Sequence, residues 1–417
     1  MNILFVHEVD WLQSLVLDFH NLSELLALKG HNVSAVSYAS HWRRLGKLDM
    51  GTLRTKQYTM AGWAYRNAEI TYYLPGYIKI IGLSRTTAAL SHYWAIDRIL
   101  REKDIDVILL YSVPTNGLQT IHLARKYHIP VIFRSIDILH RLVTYSLLSS
   151  ATKKLEKTIY ANSERILAIT PCHEKYVIEM GAEASRVRLL RLPIDTSIFH
   201  PAEEDLKLRV TWGLEKADPV ILFVGKLYNF SGLDGFIHRF PEILAQIPEA
   251  KLLIVGDGPQ RLQLERLIQT LNLNNSVRIT GVQPYESMPA YMNMASVCIN
   301  PFLVTEETKE IFPGKIIQYI ACGRATVARP SLGITSLISD KTGGILYAGS
   351  DAEFAQAVIN VLRYPELRRQ LEHAGLAYVQ REHAHQVIAQ ELESNLTEVV
   401  ASYRERRFGR TSPKAGN

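Results

Sequence analysis

Two apolar runs of strand length open two successive stretches of the chain in the same way. Asn2-Ile-Leu-Phe-Val-His7 begins the first and Pro219-Val-Ile-Leu-Phe-Val-Gly225 the second. After the first run a helical pattern spans about residues 15–29, with apolar Leu15, Leu22, Leu25, Leu26 and Leu28, and Gly30 is placed to end it. Asn32-Val-Ser-Ala-Val-Ser-Tyr38 then reads as the next strand, completing a βαβ unit. The alternation returns at Asp106-Val-Ile-Leu-Leu-Tyr111, a helix over 117–127, Pro130-Val-Ile-Phe133 and Ile166-Leu-Ala-Ile169. Such alternation predicts a parallel sheet covered by helices on both faces.

The second stretch repeats the pattern. Lys251-Leu-Leu-Ile-Val-Gly256, Val277-Arg-Ile-Thr-Gly281, Ala295-Ser-Val-Cys-Ile-Asn300 and Ala325-Thr-Val-Ala328 are its further strands, and Pro201–Asp218 reads as a linker. A chain of 417 residues exceeds one ordinary core, so two or more domains are expected. Residues 40–100 break the rhythm, interleaving Trp42, Arg43, Arg44, Lys47, Arg54, Lys56, Trp63, Tyr65, Arg66, Tyr72, Tyr73, Tyr77 and Lys79 with apolar positions.

Composition narrows the class. Charged residues make up 21% of the chain, and no apolar run approaches the ~20 residues of a membrane-spanning helix. Met1–His7 lacks the basic flank and cleavage site of a signal peptide, so a cytoplasmic protein is expected. Cys172, Cys298 and Cys322 are too dispersed for a disulfide framework or a CxxC metal pair, and no metal cluster is visible. The net charge of +6 favours anionic partners.

Doubly wound domains bind ligands at the carboxyl ends of their strands, so candidate residues belong just after strands. In the segment 300–323, Glu310 lies in a loop, Pro313 and Gly314 suit a helix start, Lys315 falls in the first turn, and Gln318 follows on the same face. A helix start with an added lysine suits a phosphate, Gln318 a ribose hydroxyl and Glu310 sugar hydroxyls. An ordinary amphipathic helix with a solvated lysine fits the spacing equally. Gly225 and Lys226 directly follow a strand, with Ser231-Gly232 beyond, an arrangement open to a diphosphate. Gly256-Asp257-Gly258-Pro259 reads first as a plain turn.

Taken in order, Phe223-Val-Gly-Lys-Leu227, Leu252-Leu-Ile-Val-Gly-Asp-Gly-Pro259, Val277-Arg-Ile-Thr-Gly281 and Glu310–Gly323 resemble the donor-binding domain of the retaining glycosyltransferases of family 4. Gly30-His31-Asn32-Val33 and Leu192-Pro-Ile-Asp195 resemble that family's acceptor-domain motifs, and the likeness covers most of residues 1–400. It implies an α/β chain of GT-B fold: two Rossmann-like, doubly wound parallel-sheet domains facing a cleft. Residues 1–200 would bind the acceptor, with a helix at 386–405 packing back on them. Residues 201–385 would bind the nucleotide sugar, and 406–417 would form a basic flexible tail.

The resemblance also implies roles. Lys226 would hold the diphosphate where the family usually has Arg, Glu310 would contact the donor sugar, and Gln318 would take the ribose at the second position of a Glu-x7-Glu pattern. Gly256, Asp257 and Gly281 would line the base pocket, while Gly225 and Gly314 would flank the phosphates. There are departures. Ser231 stands where the family has a phosphate-binding lysine, for which Lys315 can compensate. His7-Glu-Val-Asp-Trp11 replaces a glycine-rich loop, and Ile136 replaces the acceptor-domain histidine. Asp137 and His140 lie close by as catalytic candidates; His140 also fits an ordinary core or surface role.

The function implied is transfer of a sugar, with retention, from a UDP- or GDP-type donor to a glycan or lipid-linked acceptor in cell-surface polysaccharide or glycolipid synthesis, without metal or other cofactor. A sugar-nucleotide epimerase of the same fold and a non-catalytic scaffold are the alternatives. A dehydrogenase is disfavoured because no G-x-G-x-x-G follows either opening strand. Residues 40–100 suit either a small core of their own or the surface of an anionic membrane, the latter implying peripheral attachment to the inner face of the plasma membrane. Nucleic acid is not an expected partner, because the charge is spread and no recognised module is present.

Overall fold

The computed structural model describes residues 1–11, 16–38, 50–80, 82–143, 145–340 and 342–408. Trp42, Arg43, Arg44 and Lys47, the helical position Leu15 and the tail from residue 409 onward lie outside the described residues. The chain divides into two compact units, Met1–Pro193 with Ile388–Asn417, and Ile194–Val387.

The first unit contains β1 (Asn2–Val6), α1 (Asp18–Leu28), β2 (Asn32–Val36), β3 (Thr55–Ala61), β4 (Glu69–Pro75), α2 (Ser84–Glu102), β5 (Val107–Leu110), α3 (Gly117–Tyr127), β6 (Val131–Ser135), α4 (Ser146–Ala161), β7 (Arg165–Ala168), α5 (Pro171–Glu179) and β8 (Val187–Leu189). Its sheet has the order β3-β4-β2-β1-β5-β6-β7-β8. The central strands are Val-, Ile- and Leu-rich because both faces are covered: Ile3, Leu4, Phe5 and Val6 are all buried. The sheet is not wholly parallel. β3 runs antiparallel to β4, from Thr55↔Pro75 to Ala61↔Glu69. This hairpin and α2 occupy the irregular segment of the sequence. Tyr72 joins the core on one face of the sheet with Trp11, Phe5 and Ile70, whereas Tyr77 sits in a small separate cluster with Ala88, Tyr38 and Leu74.

The second unit contains α6 (Leu206–Thr211), β9 (Val220–Val224), α7 (Leu233–Leu244), β10 (Lys251–Val255), α8 (Arg261–Thr270), β11 (Val277–Gly281), α9 (Met288–Met294), β12 (Val297–Asn300), α10 (Lys315–Ala321), β13 (Thr326–Ala328), α11 (Leu332–Thr335), β14 (Ile345–Tyr347), α12 (Asp351–Arg363) and α13 (Pro365–Glu382). Its sheet is parallel throughout, in the order β11-β10-β9-β12-β13-β14. The segment expected as a linker carries α6, capped by the Asp205 carboxylate, which accepts from the N–H groups of Lys207 and Leu208. Ile194 marks where the chain enters this unit. Its N–H donates to His383 and its carbonyl accepts from His385, pairing the way in with the way out.

α14 (His385–Phe408) follows. Its Ile388, Leu392, Leu396, Val399 and Val400 share the core of β1 and β2 in the first unit, each burial worth roughly 1.5–3 kcal/mol.

In both sheets the strand order reverses beside the opening strand, between β1 and β5 and between β9 and β12. At such a switch point, neighbouring crossovers leave on opposite faces and a crevice opens beyond the strand ends.

Candidate functional site

In the second unit, Gly225 and Lys226 follow β9 directly, at the switch point with β12. Gly225 has φ +143°, and Gly256, at the end of β10, has φ +145°. A Cβ on Gly256 would lie 2.0 Å from the Gly225 carbonyl oxygen. That glycine therefore makes room for the neighbouring loop, which is locked by Leu227 N–H to the Asp257 carbonyl (3.0 Å) and Gln260 N–H to the Leu227 carbonyl (3.1 Å). Its missing side chain admits the Gly225 backbone.

Lys315, the first residue of α10, reaches back over this junction. A Cβ on Gly225 would fall 3.0 Å from Lys315 Nζ. The ammonium lies 3.7 Å from the ring centre of Phe223 and 4.2 Å from that of Phe302. It is buried and has no hydrogen-bond partner. Two aromatic faces favour the charged form by roughly 0.5–2 kcal/mol each. Taking an ammonium out of water with no acceptor costs several kcal/mol. The second effect is larger, so burial holds the Lys315 amine well below the ordinary lysine range. Asn300, at the end of β12, is also fully buried, and neither polar atom of its amide has a partner. α10 has only seven residues, which limits the dipole its start can offer, and Gly314 before it is exposed in right-handed helical backbone.

Lys226 is exposed, its Nζ 4.9 Å from the ring centre of Tyr228. Tyr228 stacks on Phe230 at 5.0 Å, and Phe230 meets Phe302 edge-on at 5.3 Å. An aromatic run therefore links the two lysines. Ser231 is corrected as a substrate-contacting residue: its side chain is fully buried and its hydroxyl donates to Gln260 Oε1 at 3.1 Å. It ties the loop before α7 to the start of α8.

At the ends of β10 and β11, Asp257 accepts from Gly258 N–H at 2.7 Å and from Arg261 at 3.0 Å. That N–H, with the guanidinium, holds its carboxyl below the usual range. Gly281 accepts from Gly256 N–H, and Arg261 lies against its Cα, where a Cβ would come within 3.2 Å of the guanidinium. Glu310 is half-buried in the loop before α10. Gly333 fixes that loop: its N–H donates to the Lys309 carbonyl at 2.9 Å, and a Cβ there would lie 2.3 Å and 2.6 Å from the Ile311 and Glu310 oxygens. Gln318 hydrogen-bonds the Tyr285 hydroxyl, whose pKa burial pushes up to about 12. A ribose contact by Gln318 would compete with that bond.

The two candidates of the first unit differ. Asp137 is exposed just beyond β6. His140 is engaged. Its Nδ1 lies 2.7 Å from Glu156 Oε2, and the Tyr176 hydroxyl donates to the same oxygen at 3.0 Å. Glu156 is fully buried on α4 and also accepts from His140 N–H at 3.3 Å. The histidine is the partner that keeps a buried carboxylate satisfied, in keeping with the core role that the sequence also allows it. In place of the glycine-rich loop, Glu8 accepts from the N–H groups of Thr115 (2.6 Å) and Asn116 (3.3 Å) just before α3, so its own carboxylate occupies that helix start. Arg261, Phe302, Asn300, Gly333, Glu156 and Tyr176 were not singled out from the sequence.

Comparison with known proteins agrees with this layout. A model described as "Glycosyl transferase 4-like domain" matches residues 17–193, and one described as "Glycosyl transferases group 1" matches residues 218–364. The alpha-D-kanosaminyltransferase of Streptomyces kanamyceticus is 31% identical over 40% of this chain and 42% of its own. The D-inositol 3-phosphate glycosyltransferase of Acidothermus cellulolyticus is 27% identical over 55% of this chain and 52% of its own. The alpha-monoglucosyldiacylglycerol synthase of Streptococcus pneumoniae is 23% identical over 63% and 60%. The chain thus spans about half the length of these relatives. Among solved structures, sucrose-phosphate synthase from Thermosynechococcus elongatus aligns with a TM-score of 0.72 at 19% identity, over 96% of this chain and 99% of that one. Anabaena HepE in complex with UDP aligns with a TM-score of 0.72 at 15% identity, over 95% and 100%. These likenesses establish the GT-B fold, and with the two matched models they show that the chain belongs to the group 1, family 4-like glycosyltransferases.

Proposed function

We propose that the protein transfers a glycosyl group, with retention, from a UDP- or GDP-type sugar to a hydroxyl of a glycan or lipid-linked acceptor. The observation that carries this reading is the buried, unpartnered Lys315 Nζ over the Gly225 backbone at the β9/β12 switch point, with Lys226 next in the chain. Glycosyl transfer builds negative charge on the departing diphosphate while the sugar becomes oxocarbenium-like. A cationic side chain held in a desolvated site stabilises that charge more than water does. In this reading Lys315 and Lys226 take the diphosphate, Glu310 contacts the sugar, and the lysines supply the positive charge without a metal. HepE was solved with UDP and with UDP-glucose, which supports a nucleotide-sugar donor on this fold.

A lipid-linked acceptor is supported by the names of relatives such as the alpha-monoglucosyldiacylglycerol synthase and by one surface. At the start of α4, Tyr145, Leu147 and Leu148 are 73%, 82% and 56% exposed, with exposed Lys153, Lys154 and Lys157 on the following turns. Apolar side chains beside lysines suit an anionic lipid surface. Among the described residues no helix is long and apolar enough to cross a membrane, so attachment in this reading is peripheral. The test is nucleotide release from UDP- and GDP-sugars with and without lipid-extract acceptors. Acceptor-dependent release supports transfer. Sugar isomerisation without release, or nucleotide binding without turnover under every acceptor, removes it.

A further inference from the structure

We propose that Lys315 is loaded by its ligand: seating a nucleoside diphosphate against Nζ brings one proton from solvent onto this side chain. The inference rests on the reading of the second unit as the donor-binding unit and adds a proton to the binding equilibrium.

The geometry leaves little alternative. A lysine ammonium carries three N–H donors and no acceptor. Here the nitrogen is buried, and none of the three finds a partner. Among the described residues, the elements packed round it offer no counter-charge. On β9 and its following loop are the Phe223 ring and the Gly225 backbone; beyond β12 is the Phe302 ring. One turn along α10, Tyr319 directs its hydroxyl at the backbone of Val224, from whose N–H it accepts at 2.7 Å. Lys226, which follows Gly225 in the chain, lies over Tyr228. Desolvation alone acts on the amine, and it disfavours the charged form.

A diphosphate reverses both deficits. Its oxygens are acceptors for the N–H groups, and its charge favours the ammonium. The amine lone pair takes a proton from the acid form of the buffer, which becomes its conjugate base, and the new N–H bonds point at phosphate oxygen. The mirror process follows on product release, when the departing nucleotide leaves the amine to shed that proton again.

The test is calorimetric titration of the full chain with UDP and with GDP at pH 8.5, in buffers of different ionisation enthalpy. At that pH the terminal phosphate, with a pKa near 6, is fully ionised, and histidines are neutral. Proton uptake on binding therefore reports an amine or a thiol, and Lys315→Met tells the two apart. The expected result is a slope close to one proton per nucleotide bound, with affinity falling about tenfold between pH 8 and 9. In Lys315→Met, checked by thermal unfolding to be folded, the slope goes to zero and affinity drops at least tenfold. Lys315→Arg, always charged, should bind with no proton uptake. Tight binding by the wild type with no dependence on buffer overturns the inference and leaves the site intact. Undiminished uptake in Lys315→Met also overturns it, by assigning the proton elsewhere. Failure of both nucleotides to bind overturns the donor-site reading itself.

Discussion

A Cβ placed on Gly225 would stand 3.0 Å from Nζ of Lys315. The glycine and the lysine thus occupy one site from opposite sides, the backbone bending under the amine at φ +143°. Gly225→Ala therefore meets two costs, a strained backbone and an amine that must move. We expect a loss of about 1–3 kcal/mol in stability and a drop of at least tenfold in nucleotide affinity. Urea unfolding and nucleotide titration check both. If the contact is the cause, combining Gly225→Ala with Lys315→Ala should cost less than the sum of the two changes, because the crowded amine is gone.

Lys315→Met should separate stability from function. The methionine keeps the apolar stem between Phe223 and Phe302 and removes the buried, unpartnered nitrogen. Functional sites commonly carry such a cost. Replacement should stabilise the second unit by about 1 kcal/mol, or ~2–4 °C in Tm for a unit of this size, while nucleotide release falls by more than tenfold. A lower Tm with unchanged turnover would show that the amine serves packing instead.

Much of this was readable in advance, for a physical reason. Strands buried on both faces appear as unbroken Val, Ile and Leu runs, so β1, β5, β9 and β10 stand out. The hairpin β3–β4 does not, because most of β3 is exposed and its residues need no apolar pattern. Lys315 was visible through Pro313-Gly314, which announce a helix start. Its aromatic bracket was not, since Phe223 in a strand reads only as core. Ser231 and His140 show the opposite limit. Spacing cannot reveal that a hydroxyl turns inward to Gln260, or that an imidazole serves a glutamate sixteen residues further on.

Asp18 and Arg134 form a pair that the sequence could not join. Arg134 Nε and Nη2 donate to the two Asp18 oxygens at 3.0 Å each, with the side chains 0% and 3% exposed. The Tyr111 hydroxyl donates to Asp18 at 3.1 Å. Asp18 is the first residue of α1, so the pair pins that helix start to β6. Asp18→Asn should cost about 3–5 kcal/mol by leaving a buried guanidinium without its counter-charge. Asp18→Leu with Arg134→Met should recover much of that, since two apolar groups leave nothing unpaired. Denaturant unfolding of the single and double variants tests this, and equal losses in all of them would contradict it.

The first unit should also be sensitive to acid through its histidines. Burial, the largest cause for each, lowers His7 and His92 to about 3 and His20 and His173 to about 4. Neighbouring His20 and His92 add to the effect on His7, and Arg134 and Arg141 to that on His173. The unfolded chain has ordinary histidines near 6.5. Between those values the unfolded state binds more protons than the folded one, so stability falls as pH falls, by up to about 1.4 kcal/mol per pH unit for each histidine. The loss begins near pH 6.5 and continues to about 4 for His20 and His173 and to about 3 for His7 and His92, so most of it precedes carboxylate titration. Urea midpoints measured from pH 7.5 to 4.5 should decline steadily in wild type. His92→Gln should flatten that slope by one proton if it folds. A pH-independent midpoint over this range would mean that these imidazoles reach water more easily than their burial implies.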